Sequence, residues 1–285
     1  MAIIPKFMKE ATAVIGLKDE DAIRWCASGF FVGRYEGVDE NGVRKFSTYL
    51  ITNKHVVRNL EEFAVQFNYG ESTKSYIVKT EIDGKKVFSG HPKEDVDIVA
   101  FNVDLNIANK EGAHTAFFEL DSHALDLNKM KETDVCEGTI VYVLGYPVGI
   151  DEELVDDIVK APICRLGCIA KIEHLYHGSG KKNYIIDAEV YPGNSGGPVI
   201  NRPENICIQG TNKNESVNLI GIISAYLPYQ EVLKSSQTGR PRMVNEENSG
   251  LSIVYPVDLI KDVVEIERTR LYGKLSNETL DGLTI

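Results

Sequence analysis

Six consecutive residues, Gly193-Asn194-Ser195-Gly196-Gly197-Pro198, set one hydroxyl among three glycines in front of a proline. Glycine admits positive φ and close backbone approach, so this run builds a tight loop in place of a regular strand or helix. Such a loop can aim the N–H groups of Gly193 and Ser195 at one point beside the Ser195 hydroxyl, so that a nucleophile and an oxyanion hole come from the same few residues. The flanks, Tyr184-Ile185-Ile186 before and Val199-Ile200 after, read as strands. A plain glycine-rich hairpin is the alternative reading of the hexapeptide alone.

A serine nucleophile needs a base, near in space and distant in sequence. Of the six histidines, His55 is placed for that work, in Tyr49-Leu50-Ile51-Thr52-Asn53-Lys54-His55-Val56-Val57, where an apolar strand ends. His91 and His114 lie in polar, loop-like sequence, and His123, His174 and His177 have no partner pattern around them. A carboxylate must hold the imidazole tautomer and stabilise the imidazolium. Glu94-Asp95-Val96-Asp97-Ile98-Val99-Ala100-Phe101 offers Asp95 and Asp97, each just before a strand. They are two residues apart and share a face if the strand reaches that far.

Thr52-Asn53-Lys54-His55-Val56-Val57, then Asp97-Ile98-Val99-Ala100, then Gly193 to Pro198, together resemble the chymotrypsin-fold (trypsin-like) serine peptidases, with the bacterial HtrA-like branch closest. Ser28-Gly29-Phe30-Phe31-Val32, Val141-Tyr142-Val143-Leu144-Gly145-Tyr146-Pro147, Gly221-Ile222-Ile223-Ser224-Ala225 and Leu251-Ser252-Ile253-Val254-Tyr255-Pro256 extend the likeness over most of the chain. The resemblance implies a triad of Ser195, His55 and Asp97, with Asp97 preferred to Asp95 because it directly precedes Ile98-Val99-Ala100. It implies Ser224 beside that carboxylate, and a protein or peptide substrate. It also implies an all-β fold of two tandem six-stranded antiparallel β-barrels with a C-terminal helix docked on the second. Digestive trypsins carry an Asp before the nucleophile that pairs with a newly cut N-terminus. Here Asn194 has no charge to make that pair, so control falls on loop order or access.

The elements that must position these groups read as follows. Short apolar runs between turns mark an all-β pattern: 11–17, 28–35, 46–53, 63–68, 75–82 and 98–103, then 139–144, 164–173, 184–190, 198–201, 219–225 and 251–255. Asp39-Glu40-Asn41-Gly42 and Asp83-Gly84 are hairpin turns. The expected organisation is a first barrel over 1–120, a crossover over 121–137, a second barrel and helix over 138–272 and a tail over 273–285. After Pro256, apolar residues at Val257, Leu259, Ile260, Val263, Val264 and Ile266 change the period to that of an amphipathic helix, which Gly273 stops. The PDZ module that follows the protease in many HtrA relatives is not expected here.

With 285 residues and 43% hydrophobic content there is material for two cores. A formal charge of −11 argues against nucleic acid and anionic lipid as partners. Five cysteines, at 26, 136, 164, 168 and 207, cannot all pair within the chain. Free thiols in a reducing compartment are the simplest reading, and with no signal peptide at the N-terminus the expected location is cytoplasmic. No run approaches the ~18 apolar residues of a membrane span. No cofactor is expected.

Substrate choice is less legible. Glu189, six residues before Ser195, falls near the floor of the trypsin primary pocket by the same resemblance, where a carboxylate favours Lys or Arg. The alternative is that it points to solvent. Ala225 and Tyr226 form one pocket wall on this reading, and Tyr226 narrows it towards small aliphatic residues. The polar stretch 230–250 reads as a specificity or lid loop. Cys164, Cys168, His174 and His177 have zinc-like spacing, but strand alternation turns His177 away from the others, so no metal is expected. The acidic cluster Asp151, Glu152, Glu153, Asp156 and Asp157 reads as a solvated loop. Two functions compete with a serine endopeptidase. One is a catalytically silent or latent peptide-binding module of the same fold. The other is a general hydrolase or esterase, although Pro198-Val199-Ile200 continues as a strand, against the strand–turn–helix of an α/β-hydrolase elbow.

Overall fold

The computed structural model describes residues 4–19, 22–69, 72–148, 161–204 and 215–273. The acidic cluster 151–157, Cys207 and the tail beyond Gly273 lie outside the described residues.

After a short helix α1 (Lys6–Glu10), the first half holds β1 (Thr12–Asp19), β2 (Ala22–Val38), β3 (Arg44–Thr52), helix α2 (Lys54–Val57), β4 (Glu62–Tyr69) and β5 (Ser72–Lys79). It continues with β6 (Glu81–Ile82), β7 (Lys85–Lys86), β8 (Ser89–Gly90), β9 (Val99–Asn102), α3 (Leu105–Lys110) and β10 (Phe118–Glu119). Helix α4 (Leu127–Glu132) lies in the crossover. The second half holds β11 (Ile140–Gly145), β12 (Ile163–Lys171), α5 (Glu173–Tyr176), β13 (Tyr184–Asp187), β14 (Pro198–Asn201), β15 (Leu219–Lys234), β16 (Pro241–Pro256) and helix α6 (Val257–Tyr272).

The second half is a closed six-stranded antiparallel barrel in the order β11-β12-β13-β16-β15-β14. The first half is not the closed six-stranded barrel expected of it. It is an open sheet in the order β5-β4-β1-β2-β3-β9-β8, with β10 parallel on β2. Closure fails because residues 81–86, between β5 and β8, leave the sheet as a separate ribbon, β6 with β7, around the Asp83-Gly84 turn. Beyond it, β8 is only two residues long. Strands of that length carry no periodicity, so the sequence pattern could not announce them.

Three apolar clusters explain the continuous hydrophobic runs. Strand β2 is buried on both faces in its middle, so its run is not alternating. Phe31 and Ala27 face the interior of the first sheet with Leu50, Phe63 and Phe101. Phe30 and Val32 face the other way, into a seam with Tyr49, Leu144, Ile222 and Leu259. The second barrel encloses Val143, Ile169, Tyr184, Val199 and Ile223. Helix α6 puts Val257, Leu259, Ile260, Val263 and Val264 into the seam. It therefore packs on β8 and β9 of the first half as well as on β15 and β16, and is not docked on the second barrel alone. Gly273, at φ +92°, ends it.

The stretch 230–250 is not a loop. Strands β15 and β16 run on past the barrel as an antiparallel ribbon, paired from Pro228↔Asn248 out to Lys234↔Pro241. Among the described residues no helix is long and apolar enough to cross a membrane.

Candidate active site

His55 enters the site on α2, one turn after β3 ends. Asn53, extended and fully buried, precedes that turn, and its Nδ2 donates to the Asp97 backbone carbonyl at 2.8 Å. This bond ties the histidine turn to the segment before β9. The Asp97 carboxylate then meets His55 twice: the His55 amide donates to Oδ1 at 3.0 Å, and His55 Nδ1 lies 2.5 Å from Oδ2. The Ser224 hydroxyl adds a third donor, 3.1 Å from Oδ2. Asp95 contributes no carboxylate contact here. Its backbone carbonyl accepts from the Tyr255 hydroxyl, whose ionisation is pushed up mainly by burial.

Ser224 reaches Asp97 because the β15–β16 register shifts between Ile223 and Ala225. A bulge leaves one residue unpaired and re-aims it, and Ser224 is that residue. Its backbone carbonyl accepts the Ser195 hydroxyl at 3.1 Å. Ser224 thus touches both Asp97 and Ser195, and the described hydrogen bond of Ser195 Oγ goes to that carbonyl.

The loop carrying Ser195 is held by the first half. The Ser28 amide donates to the Ser195 carbonyl at 3.0 Å, and the Ser28 hydroxyl donates to the Gly193 carbonyl at 2.7 Å while accepting from the Tyr146 amide at 2.9 Å. Gly193 and Gly196 sit at φ +96° and +85°. A Cβ on Gly196 would lie 2.1 Å from the Ser28 carbonyl oxygen, so the close approach itself requires glycine. The Pro192 carbonyl accepts from the Val148 amide at 2.8 Å, and the Asn194 carbonyl from the Gly197 amide at 2.9 Å. In a trans peptide the N–H points opposite to the C=O. The Gly193 and Ser195 N–H groups therefore turn away from those bonds, and among the described residues neither has a protein acceptor. Two such free donors flanking one hydroxyl can receive a developing oxyanion.

Asn194 is buried, with its Oδ1 against Gly145 and its Nδ2 without a hydrogen-bond partner among the described residues. Glu189 is exposed and accepts from the Tyr191 hydroxyl at 2.7 Å. That bond is also the main reason Tyr191 ionises above its ordinary range. Ala225 is exposed, and Tyr226 is half-buried against the second barrel's core. Cys164 is exposed, and His174 Nε2 lies 2.9 Å from the Asn183 carbonyl. Among the described residues no group of three or more His, Cys, Asp or Glu side chains is placed to hold a metal. Ser28 and Asn53 are positioning residues that the motif reading passed over. The signal available for each was a polar residue bordering a run of apolar ones, Ser28 ahead of Gly29 to Val32 and Asn53 after Leu50 and Ile51.

Two solved structures are similar to this chain. The MamO protease domain from Magnetospirillum magneticum, in its apo form, aligns with a TM-score of 0.45 and 18% identity over 90% of this chain and 97% of its own. The HtrA-type protease AlgW, solved with a decapeptide, aligns with a TM-score of 0.46 and 16% identity over 92% of this chain and 64% of its own. No curated protein matches the sequence. The model of the trypsin-like peptidase domain matches residues 27–207, more than half of the chain and a span that includes His55, Asp97 and Ser195. The chain belongs to the trypsin-like peptidase domain family.

Proposed function

We propose that this protein is a serine endopeptidase acting on proteins or peptides through Ser195, His55 and Asp97. The observation that carries the reading is that Asp97 and Ser195 meet on one residue, Ser224, while Asp97 also grips His55 at 2.5 Å. Asp97 accepts the Nδ1–H of His55 and leaves Nε2 as the base. When substrate arrives, an N–H of its own backbone replaces the Ser195 hydroxyl on the Ser224 carbonyl. The hydroxyl then turns to His55, which takes its proton as Oγ attacks the peptide carbonyl. The amides of Gly193 and Ser195 hold the oxyanion. His55 returns the proton to the leaving amine, and water resolves the acyl-enzyme by the same route.

The pocket wall of Ser224, Ala225 and Tyr226 favours small aliphatic residues on this reading. Glu189 is left out of it, because its carboxylate is exposed and engaged with Tyr191. The uncharged Asn194 supports competence without N-terminal cutting. The four cysteines among the described residues, Cys26, Cys136, Cys164 and Cys168, are free, which supports a cytoplasmic setting.

One observation favours the competing reading of a latent or silent peptide-binding module: the Ser195 hydroxyl rests on the Ser224 carbonyl. A fluorophosphonate probe separates the two. Labelling of the intact chain that disappears in Ser195→Ala supports the peptidase, whereas an unlabelled wild-type chain overturns it.

A further inference from the structure

Asn194 donates its amide to the Tyr191 carbonyl at 3.0 Å, which closes a turn over Tyr191-Pro192-Gly193-Asn194. Proline at the first central position and glycine at positive φ, here +96°, at the second are the signature of a type II turn. A type I turn between the same ends differs mainly in having its central peptide turned over. That peptide holds the Gly193 N–H, so the turn type decides where the donor points. Glycine admits either form, and the choice falls to whatever anchors the turn. Two anchors act beyond its first residue, the Val148 amide on the Pro192 carbonyl and the Ser28 hydroxyl on the Gly193 carbonyl.

A third anchor lies at the entry. Tyr191 is 39% exposed, yet its side chain is held on its face and at its tip. The Arg165 guanidinium carbon lies over the ring, 4.8 Å from its centroid, and the hydroxyl donates to Glu189 at 2.7 Å. Arg165 belongs to β12 of the closed barrel, paired with Val143, so the face contact comes from a rigid element. Its Nε is buried with no hydrogen-bond partner among the described residues, which leaves the contact with the ring as the described interaction of the guanidinium. Side-chain rotamer and backbone dihedrals are coupled, so fixing ring and hydroxyl restricts the backbone that opens the turn.

We infer that Tyr191, clamped by Arg165 and Glu189, is a positioning residue that holds the 191–194 turn in the form that aims the Gly193 N–H at the site of Ser195. The inference rests on the serine-peptidase reading for what that N–H receives, and it deepens that reading. It gives Glu189 a task outside the substrate pocket. Arg165 and Glu189 act through Tyr191 and not on the substrate. Contacts of these kinds at exposed positions are individually weak. Losing an oxyanion donor outright typically costs ~100- to 1,000-fold in turnover, and loosening it should cost less, about 10-fold.

Kinetics of the full chain on a peptide substrate provide the test. Tyr191→Ala is expected to lower kcat about 10-fold with KM within about 2-fold, the pattern of an interaction made in the transition state. Tyr191→Phe keeps the ring on Arg165 and loses the bond to Glu189, so it should fall between Tyr191→Ala and wild type. Glu189→Ala should match Tyr191→Phe. Glu189→Gln, whose amide oxygen can still accept from the hydroxyl, should recover wild-type kcat. A peptide aldehyde, which adds to Ser195 and places an oxyanion at the Gly193 N–H, should lose affinity by the same factor as kcat. The same peptide as a C-terminal amide should keep its Kd. In a chain that takes a fluorophosphonate label, unchanged kcat in Tyr191→Ala, or equal losses for aldehyde and amide, overturns the clamp. If Tyr191→Ala does not fold, the Glu189 pair decides, and equal kcat in Glu189→Ala and Glu189→Gln overturns it. Exchange of the Asn194 amide, followed by NMR, is read independently of activity and should quicken about 10-fold in Tyr191→Ala. An unlabelled wild-type chain in which that exchange quickens loses only the peptidase reading. A labelled one with exchange and kcat both unchanged loses only the clamp.

Discussion

Asp97 receives three donors on two oxygens: the His55 amide, the His55 ring and the Ser224 hydroxyl. An amide in its place would present N–H to at least one of these donors and favour the wrong imidazole tautomer. Asp97→Asn is therefore expected to lose about 10,000-fold in kcat on a peptide substrate with the fold intact. Asp95→Asn should stay near wild type, since the described hydrogen bond of Asp95 is made by its backbone carbonyl, to Tyr255. Parallel kcat measurements on the two variants check the assignment, and a damaging Asp95→Asn with a mild Asp97→Asn would reverse it.

At the scale of elements, the Ser195 loop of one half is shaped by a strand of the other. Strand β2 delivers Ser28, fully buried, between the Gly193 carbonyl and the Tyr146 amide. Thr52 at the end of β3 steadies it, donating to the Ser28 carbonyl at 2.8 Å. Ser28→Ala would strand a buried donor and a buried acceptor, each costing about 1–3 kcal/mol if left unsatisfied. We expect a lower Tm by calorimetry, together with a loss of kcat larger than any rise in KM, because the Gly193 peptide would no longer be held. An unchanged kcat in a destabilised protein would make Ser28 merely structural.

Over the whole molecule, α6 and the crossover lock the two halves around the seam. Glu267, fully buried, accepts from Ser89 and Arg270, while Glu265 and Arg268 reach Arg34 and Glu36 on β2. Asp126, which caps α4, pairs with Lys261 of α6 at 2.8 Å. Burial alone would raise the Asp126 carboxyl, but Lys261 and the Lys129 amide outweigh it and hold it below the usual range. A depressed carboxylate contributes stability that is complete above its unfolded pKa and is lost as pH falls through its lower folded value. Asp258 works in the opposite direction, because burial raises it, and the net charge of Asp126 adds to that effect. Asp126→Asn should thus flatten the fall in stability on the acid side of the ordinary carboxylate range. Urea melts across a pH series provide the check, and an unchanged acid limb would mean that the pair with Lys261 contributes nothing.

The family and the segments that carry the candidate site were legible from residues alone, because their signals are local. Glycines that admit positive φ around Ser195, a histidine at a strand end, and a carboxylate before Ile98-Val99-Ala100 each declare themselves within a few positions. Most long strands were legible for the same reason, as was the helix after Pro256, through its change of period. Three features required the folded chain. The open first sheet depends on residues 81–86 finding each other and not their neighbours. The seat of α6 depends on a seam assembled from both halves, which periodicity shows only as one apolar face. The ribbon read as a polar loop because neither of its faces is covered, so no alternation marks it. Pairing between β15 and β16 across the short 235–240 connection, which no pattern of burial announces, is what makes it a strand pair.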